Sequence, residues 1–290
     1  MRQAAVENQD RLTDVAFWDE QYDPAAPTLP VRPRSRARRF LRKVIGPTLL
    51  GLMQDYRGFL TWDVIYPRYL PHRRGARILD VGSAPGAHLV QLHKVFGFEP
   101  YGVEYTTRGT ELNKTLFQLS GLDPDHVVHA DFFAPEFQAQ YRGYFDVVLS
   151  RGFIEHFRDV HSVVAAHLNV LAPGGILLVT IPNLRGINYW LTWFFQKDLL
   201  AVHNLSIMTR SDFGKLFETG ELTPLCCDYF GAFSFGLVYA KPHSLRGKIL
   251  AAFVQLQPLL NAFFRLVFKP GRAEHRWFSS NLVFIGQKTR

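Results

Sequence analysis

Cysteine is nearly absent from this 290-residue chain: there are two, Cys226 and Cys227, and they are adjacent. No disulfide framework can be built from them, and no pair of CxxC motifs exists to hold a structural zinc, so a reducing, cytoplasmic setting is expected. Long apolar runs are also missing. None approaches the roughly 18 residues of a spanning helix, and the opening MRQAAVENQDRLTD lacks the apolar core of a secretory signal, so a protein that is not integral to a membrane is expected. Acid is scarce in one place. From position 30 to 77 there are twelve Lys/Arg against Asp55 and Asp63, so this stretch carries +10 while the whole chain carries +8. A local patch of that sign suits an anionic partner such as lipid, nucleic acid or a phosphorylated substrate, or serves only as a solvated surface.

What is present points to a globular α/β protein. Hydrophobic residues make up 47% and aromatic residues 14% of the chain, enough for a full core. Ile78, Leu79 and Val81 read as a short buried strand, followed by the turn Gly82-Ser83-Ala84-Pro85-Gly86 and a helix-periodic segment through Phe96. Gly82 and Gly86 let the backbone turn sharply and let a ligand lie against it, and the free N–H groups of the new helix face that ligand. Asp80 points an acceptor into the same crevice. The spacing is not the G-x-G-x-x-G of a dinucleotide site, because Ala84 and Ala87 stand where glycines are required. Two further strands end in acids: Tyr101–Glu104 about 20 residues on, where a carboxylate can receive ribose hydroxyls, and His126–Asp131. Phe145–Ser150 and Ile176–Ile181 complete five apolar strands alternating with helices, which specifies a parallel sheet covered on both faces.

D-x-G-x-x-x-G at 80–86, the acids Glu104 and Asp131, FDVVLS followed by IEHF, and LAPGG before the fifth strand together resemble the class I S-adenosylmethionine (SAM) methyltransferases, small-molecule type. Ala84 departs from their middle glycine. The resemblance covers roughly 66–183. It implies a doubly wound, mostly parallel seven-stranded sheet, with 222–230 and 281–288 as an antiparallel pair. It also implies a cofactor site formed by Asp80, Gly82, Ser83, Ala84, Gly86, Glu104, Tyr105, Asp131, Phe132, Arg151 and Gly152. In that family the acid after strand three receives the adenine amino group, the backbone N–H of the next residue reaches a ring nitrogen, and apolar side chains sandwich the base. Such enzymes also tend to begin with an FWD-x-x-Y island like Phe17–Tyr22, near the cofactor entrance. No metal is expected.

Around this domain, which is expected over 77–290, the sequence is less generic. Residues 1–34 read as an arm and 35–76 as a basic helical cap. In that cap Phe40, Leu41, Val44, Ile45, Leu49, Leu52 and Met53 mark one face, suited either to covering the domain or, over 32–56, to lying on an anionic membrane. Insertions at about 184–208 and 241–275 are aromatic or apolar and read as lids. The second is expected as two short helices broken at Pro258. An oxygen acceptor has to lose a proton, and His156 is the first candidate base, with His203 second and Glu155 beside them. The expected reaction is O-methylation of a small-molecule or lipid- or glycan-linked acceptor. Two alternatives remain open at this point: an RNA methyltransferase using the basic region, and a SAM-binding protein without turnover. A nucleic-acid partner is disfavoured because strand four lacks the Asn/Asp-Pro-Pro-aromatic signature of base-amino methylation, and Cys226-Cys227 lies too late to be a cytosine-C5 nucleophile. Oligomeric state is not legible.

Overall fold

The computed structural model describes residues 11–22 and 51–290. Seven strands, β1 (Arg77–Val81), β2 (Glu99–Glu104), β3 (Val127–His129), β4 (Phe145–Arg151), β5 (Leu171–Pro182), β6 (Leu222–Phe230) and β7 (Asn281–Lys288), form one sheet. Their order is β3-β2-β1-β4-β5-β7-β6. The first five strands run parallel, and β7 is antiparallel to both of its neighbours. The sequence expectation of a mostly parallel seven-stranded sheet with a terminal antiparallel pair is met.

Along β1 and β4 successive residues enter opposite layers. Leu79, Val81 and Val148 join one core with Val163, Val164 and Phe213. Ile78, Val147 and Leu149 join the other with Leu89, Leu92, Tyr66 and Phe264. This period of two, with both faces apolar, is why each strand reads as a nearly continuous hydrophobic run. The helices are α1 (Val15–Gln21), α2 (Ala87–Phe96), α3 (Thr107–Leu119), α4 (Pro135–Gln140), α5 (Val160–Val170), α6 (Ile187–Phe195), α7 (Arg210–Lys215) and α8 (Leu245–Val267), with a further helical run over 56–69. Thr106, Asp159 and Thr209 cap α3, α5 and α7 through their side-chain oxygens.

Two expectations need correction. The apolar segment around Pro258 is one 23-residue helix, not two. Gln257 explains the continuity: its amide donates to the Phe233 carbonyl and to Asn261, and its oxygen accepts from the Phe235 N–H, fixing the helix on both sides of the proline. The same helix is long and apolar enough to cross a membrane by length and composition, contrary to the expectation that no such segment exists. Its Leu250 and Phe264 are nevertheless buried against the domain, and Arg265 donates to the Gly51 carbonyl at 2.7 Å. The basic amphipathic helix expected over 35–56 lies, up to position 50, outside the described residues. So do residues 23–34 of the expected arm.

Candidate functional site

Strand order reverses between β1 and β4, so the loops leaving these strands part and open a crevice at their carboxyl ends. Gly82 (φ +69°) and Gly86 (φ +88°) make the turn after β1. The Gly82 N–H donates to the Val103 carbonyl at 3.0 Å and the Gly86 N–H to the Ser83 carbonyl at 2.8 Å. A Cβ on Gly86 would lie 2.0 Å from Asn113 Oδ1. Asn113 is held there by donating to Ser83 Oγ at 2.6 Å. Gly86 caps α2 without any side-chain hydrogen bond, which leaves the first turn of the helix to offer its N–H groups to a ligand.

Asp80 lies in β1, Glu104 ends β2, and Asp131 lies two residues beyond β3. Asp80 is 1% exposed. Its Oδ2 accepts from Arg151 Nη2 at 2.7 Å, while its Oδ1 is buried without a partner. Burial pushes its carboxyl up, and the Arg151 charge opposes that. Glu104 accepts from the Thr106 N–H and hydroxyl at 3.0 and 2.9 Å, which aims its second oxygen toward the Ala84 N–H, 3.4 Å away. Asp131 follows β3 rather than ending it, and its carboxylate accepts from the Phe133 N–H at 3.0 Å.

The Phe132 side chain is buried in the core among Phe133, Phe137, Phe153 and His167, which leaves its backbone for the N–H contact that the resemblance implies. Asp131 pairs with Arg11, whose guanidinium carbon also lies 5.1 Å from the Tyr105 ring centre and 5.5 Å from that of Phe133. Nothing in the sequence near Arg11 marks it. Position 120 residues from its partner, it enters through an isolated bridge of Arg11 to Phe157 and the hydrogen bond from the Leu12 N–H to the His156 carbonyl. Tyr105 donates from its hydroxyl to the Asp14 carbonyl. Tyr22, from the FWD-x-x-Y island, sits beside Glu104, Tyr105 and Asp80, where burial and those charges raise its hydroxyl above the ordinary phenol range. Residues 11–22 thus lie across the loops that follow β2 and β3.

The other half opens into a cavity of about 780 Å³ lined by Trp62, His88, Arg151, Gly152, His156 and His203 among others. Tyr66 hydrogen-bonds His88, which burial keeps neutral by lowering its pKa to about 2. Gly152 (φ +68°) donates its N–H to the Thr180 carbonyl at 2.8 Å, turning the chain so that Glu155 and His156 face the cavity. Residues 197–204 close over them: the Asn204 N–H donates to the Glu155 carbonyl at 2.7 Å and its amide to the Phe157 carbonyl at 3.1 Å. His156 and His203 are thereby brought to a ring-centre distance of 4.5 Å. Each gives its Nδ1–H to a backbone carbonyl at 2.8 Å, Val202 and Leu199 respectively, so each presents Nε2 as a lone pair. Burial first, and for His156 the neighbouring His203, lowers their pKa values to about 3 and about 4, while burial raises Glu155 to about 8. The three candidate proton-handling residues therefore share one place.

The family profile described as a methyltransferase domain matches residues 55–226, more than half of the chain. This chain belongs to the class I SAM-dependent methyltransferases. Its cofactor is S-adenosylmethionine. Among curated relatives, the ubiquinone biosynthesis O-methyltransferase of Aromatoleum aromaticum is 29% identical over 158 residues, covering 52% of this chain and 62% of that protein. The tRNA U34 carboxymethyltransferase of Syntrophotalea carbinolica is 30% identical over 140 residues, covering 46% and 40%. The chain thus spans about three-fifths or less of the curated relatives it matches. In fold it is similar to a Haloferax volcanii methyltransferase solved with its Trm112 activator, with a TM-score of 0.50 at 14% identity over 81% of this chain and 98% of that one. The residues present fit the cofactor: the unpartnered Asp80 oxygen and the uncapped N-terminus of α2 are each explained by a polar ligand lying along this turn.

Proposed function

We propose that this methyltransferase acts on a hydroxyl of a small apolar or lipid-linked acceptor. The observation that carries the reading is the placement of the Nε2 atoms of His156 and His203 on the wall of the 780 Å³ cavity that Arg151 and Gly152 join to the cofactor crevice. When bound, SAM supplies a methyl on a positively charged sulfur, so the acceptor oxygen forms the new bond to carbon as the carbon–sulfur pair returns to sulfur. The work left to the chain is alignment and removal of one proton. Asp80, held by Arg151, and Glu104, held by Thr106, anchor the donor side. His156, fixed in its Nδ1–H tautomer by Val202, receives the acceptor proton at Nε2, and Trp18, edge-on to its ring at 5.1 Å, closes the cavity on that side.

Three curated relatives named as ubiquinone biosynthesis O-methyltransferases support oxygen as the acceptor atom. A lipid-linked acceptor is supported by one surface. Trp190 and Trp193 of α6 and Leu256, Leu259, Phe263 and Leu266 of α8 are between 48% and 66% exposed. Their spacing on α8 is that of one helical stripe, and Arg246, Lys248, Lys269 and Arg272 flank it, as in a helix resting at an anionic bilayer surface. The test is methyl transfer from labelled SAM to fractionated extracts, followed by mass spectrometry of the product. A labelled lipid-soluble phenol or alcohol is the expected outcome, with His156→Ala lowering turnover at least tenfold at unchanged SAM affinity. Label in RNA, or on nitrogen or carbon, refutes the reading.

A further inference from the structure

The geometry points to a divalent metal site formed by Glu155, His156 and His203. One ligand atom from each lies within 4.8 Å of the others. A tetrahedral ion with bonds of about 2.0–2.2 Å separates its ligands by about 3.4 Å, so side-chain shifts of about 1 Å close the set. The two imidazoles are already in the state of ligands. Both imidazoles donate Nδ1–H to backbone carbonyls, the outer-shell arrangement that fixes a metal-binding histidine with Nε2 toward the ion. Glu155 is 1% exposed, and its Oε2 is buried with no hydrogen-bond partner, a cost that a cation removes. The backbone supports the same juxtaposition: Asn204 ties the segment carrying His203 to the carbonyls of Glu155 and Phe157. Among the described residues this is the one such grouping of histidine, cysteine and carboxylate ligands.

Two imidazoles and one carboxylate with an open side match catalytic zinc and related first-row ions rather than calcium or magnesium, which take mostly oxygen. The open side is the cavity. A hydroxyl bound there gives its proton to solvent because the cation stabilises the oxyanion, and the acceptor class narrows to one whose hydroxyl can enter as the fourth ligand. This deepens the proposed function, since the imidazoles then hold the ion rather than take the proton. It stands or falls separately, because metal content is read with neither SAM nor acceptor present.

The test uses the full chain without a histidine tag. Wild type, Glu155→Gln, His203→Asn and, as a control, His243→Asn at an exposed histidine outside the cluster are dialysed against Zn²⁺ and then buffer. Metal content is measured by mass spectrometry, and Co²⁺ titration is followed by its visible absorption. Wild type and His243→Asn are expected to retain about one equivalent and to give a saturable Co²⁺ spectrum, with at least tenfold weaker binding in the two cluster variants. Should either variant fail to fold by circular dichroism, Zn²⁺ must still raise the wild-type melting temperature in proportion to its logarithmic excess. Wild type with less than 0.1 equivalent, or a Co²⁺ spectrum unchanged in Glu155→Gln and His203→Asn, overturns the site.

Discussion

Replacing Gly86 by alanine isolates the turn on which the cofactor site depends. Two costs add. A residue with a Cβ at φ +88° pays about 1–2 kcal/mol for the left-handed backbone. The new carbon also lies 2.0 Å from Asn113 Oδ1 and 2.8 Å from its Cγ, and displacing that buried amide loosens its 2.6 Å hydrogen bond to Ser83, for about 1–3 kcal/mol of overpacking. The sum is about 3 kcal/mol. In a chain of this size that lowers the melting temperature by about 6 °C. Gly121→Ala separates the two terms: Gly121 also has positive φ, at +72°, but a Cβ there meets nothing within 4 Å, so only the backbone cost of about 1–2 kcal/mol applies. Calorimetric unfolding of the three proteins, with SAM titration of each, gives the answer. Gly86→Ala should lose at least tenfold in SAM affinity while Gly121→Ala binds normally. Equal destabilisation by the two substitutions, or full SAM affinity in Gly86→Ala, would refute the argument that Asn113 and Ser83 hold this turn against a ligand.

Other expectations follow from the same geometry. His167 is 1% exposed, gives Nδ1–H to the Val163 carbonyl, and has a buried Nε2 without a partner; burial lowers its pKa to about 4. Between pH 6.5 and 4 the unfolded chain binds this proton and the native one does not, so stability falls as pH falls, by about 3 kcal/mol in all. Denaturant titrations across that range should show a slope about 1.4 kcal/mol per pH unit shallower in His167→Phe, and an unchanged slope removes His167 as a cause. Arg11 pairs with Asp131, the acid that the resemblance assigns to the cofactor's adenine, and the carboxylate is 46% exposed, so releasing it costs at most about 1 kcal/mol. Arg11→Ala should therefore tighten SAM binding by up to about fivefold in calorimetry; a tenfold weakening would mean that the guanidinium is part of the cofactor's own contact surface. Trp190→Ser combined with Trp193→Ser should reduce co-sedimentation with anionic vesicles at unchanged SAM affinity, and undiminished sedimentation would argue against α6 as a membrane contact.

The strands were legible because a doubly covered sheet leaves few choices: Ile78 to Val81, Phe145 to Ser150 and Ile176 to Ile181 must be apolar on both faces, and glycine turns punctuate them. The acids Asp80, Glu104 and Asp131 were legible because strand ends recur at regular spacing. Arg11 was not, since its meeting with Asp131 depends on how a distant segment folds back. Which of Phe132 and Phe133 enters the core turned on how the chain leaves β3 at His129, and no local periodicity reports that. The unbroken α8 escaped for a similar reason: Pro258 argues locally for a break, while Gln257 supplies hydrogen bonds to Phe233 and Phe235, which lie more than 20 residues away. His156 and His203 were each named from the sequence, but their approach to 4.5 Å is the work of Asn204, whose backbone and side chain both reach back to the loop after β4.

The most direct measurement is isothermal titration of the purified full chain with SAM, repeated on Glu104→Ala and Asp131→Ala. One site per chain is expected, weakened at least tenfold by loss of Glu104, whose aimed oxygen has no substitute in the crevice, and less by loss of the half-exposed Asp131. Absence of binding to the wild type, or undiminished affinity in Glu104→Ala, would contradict the placement of the cofactor along the ends of β1 and β2.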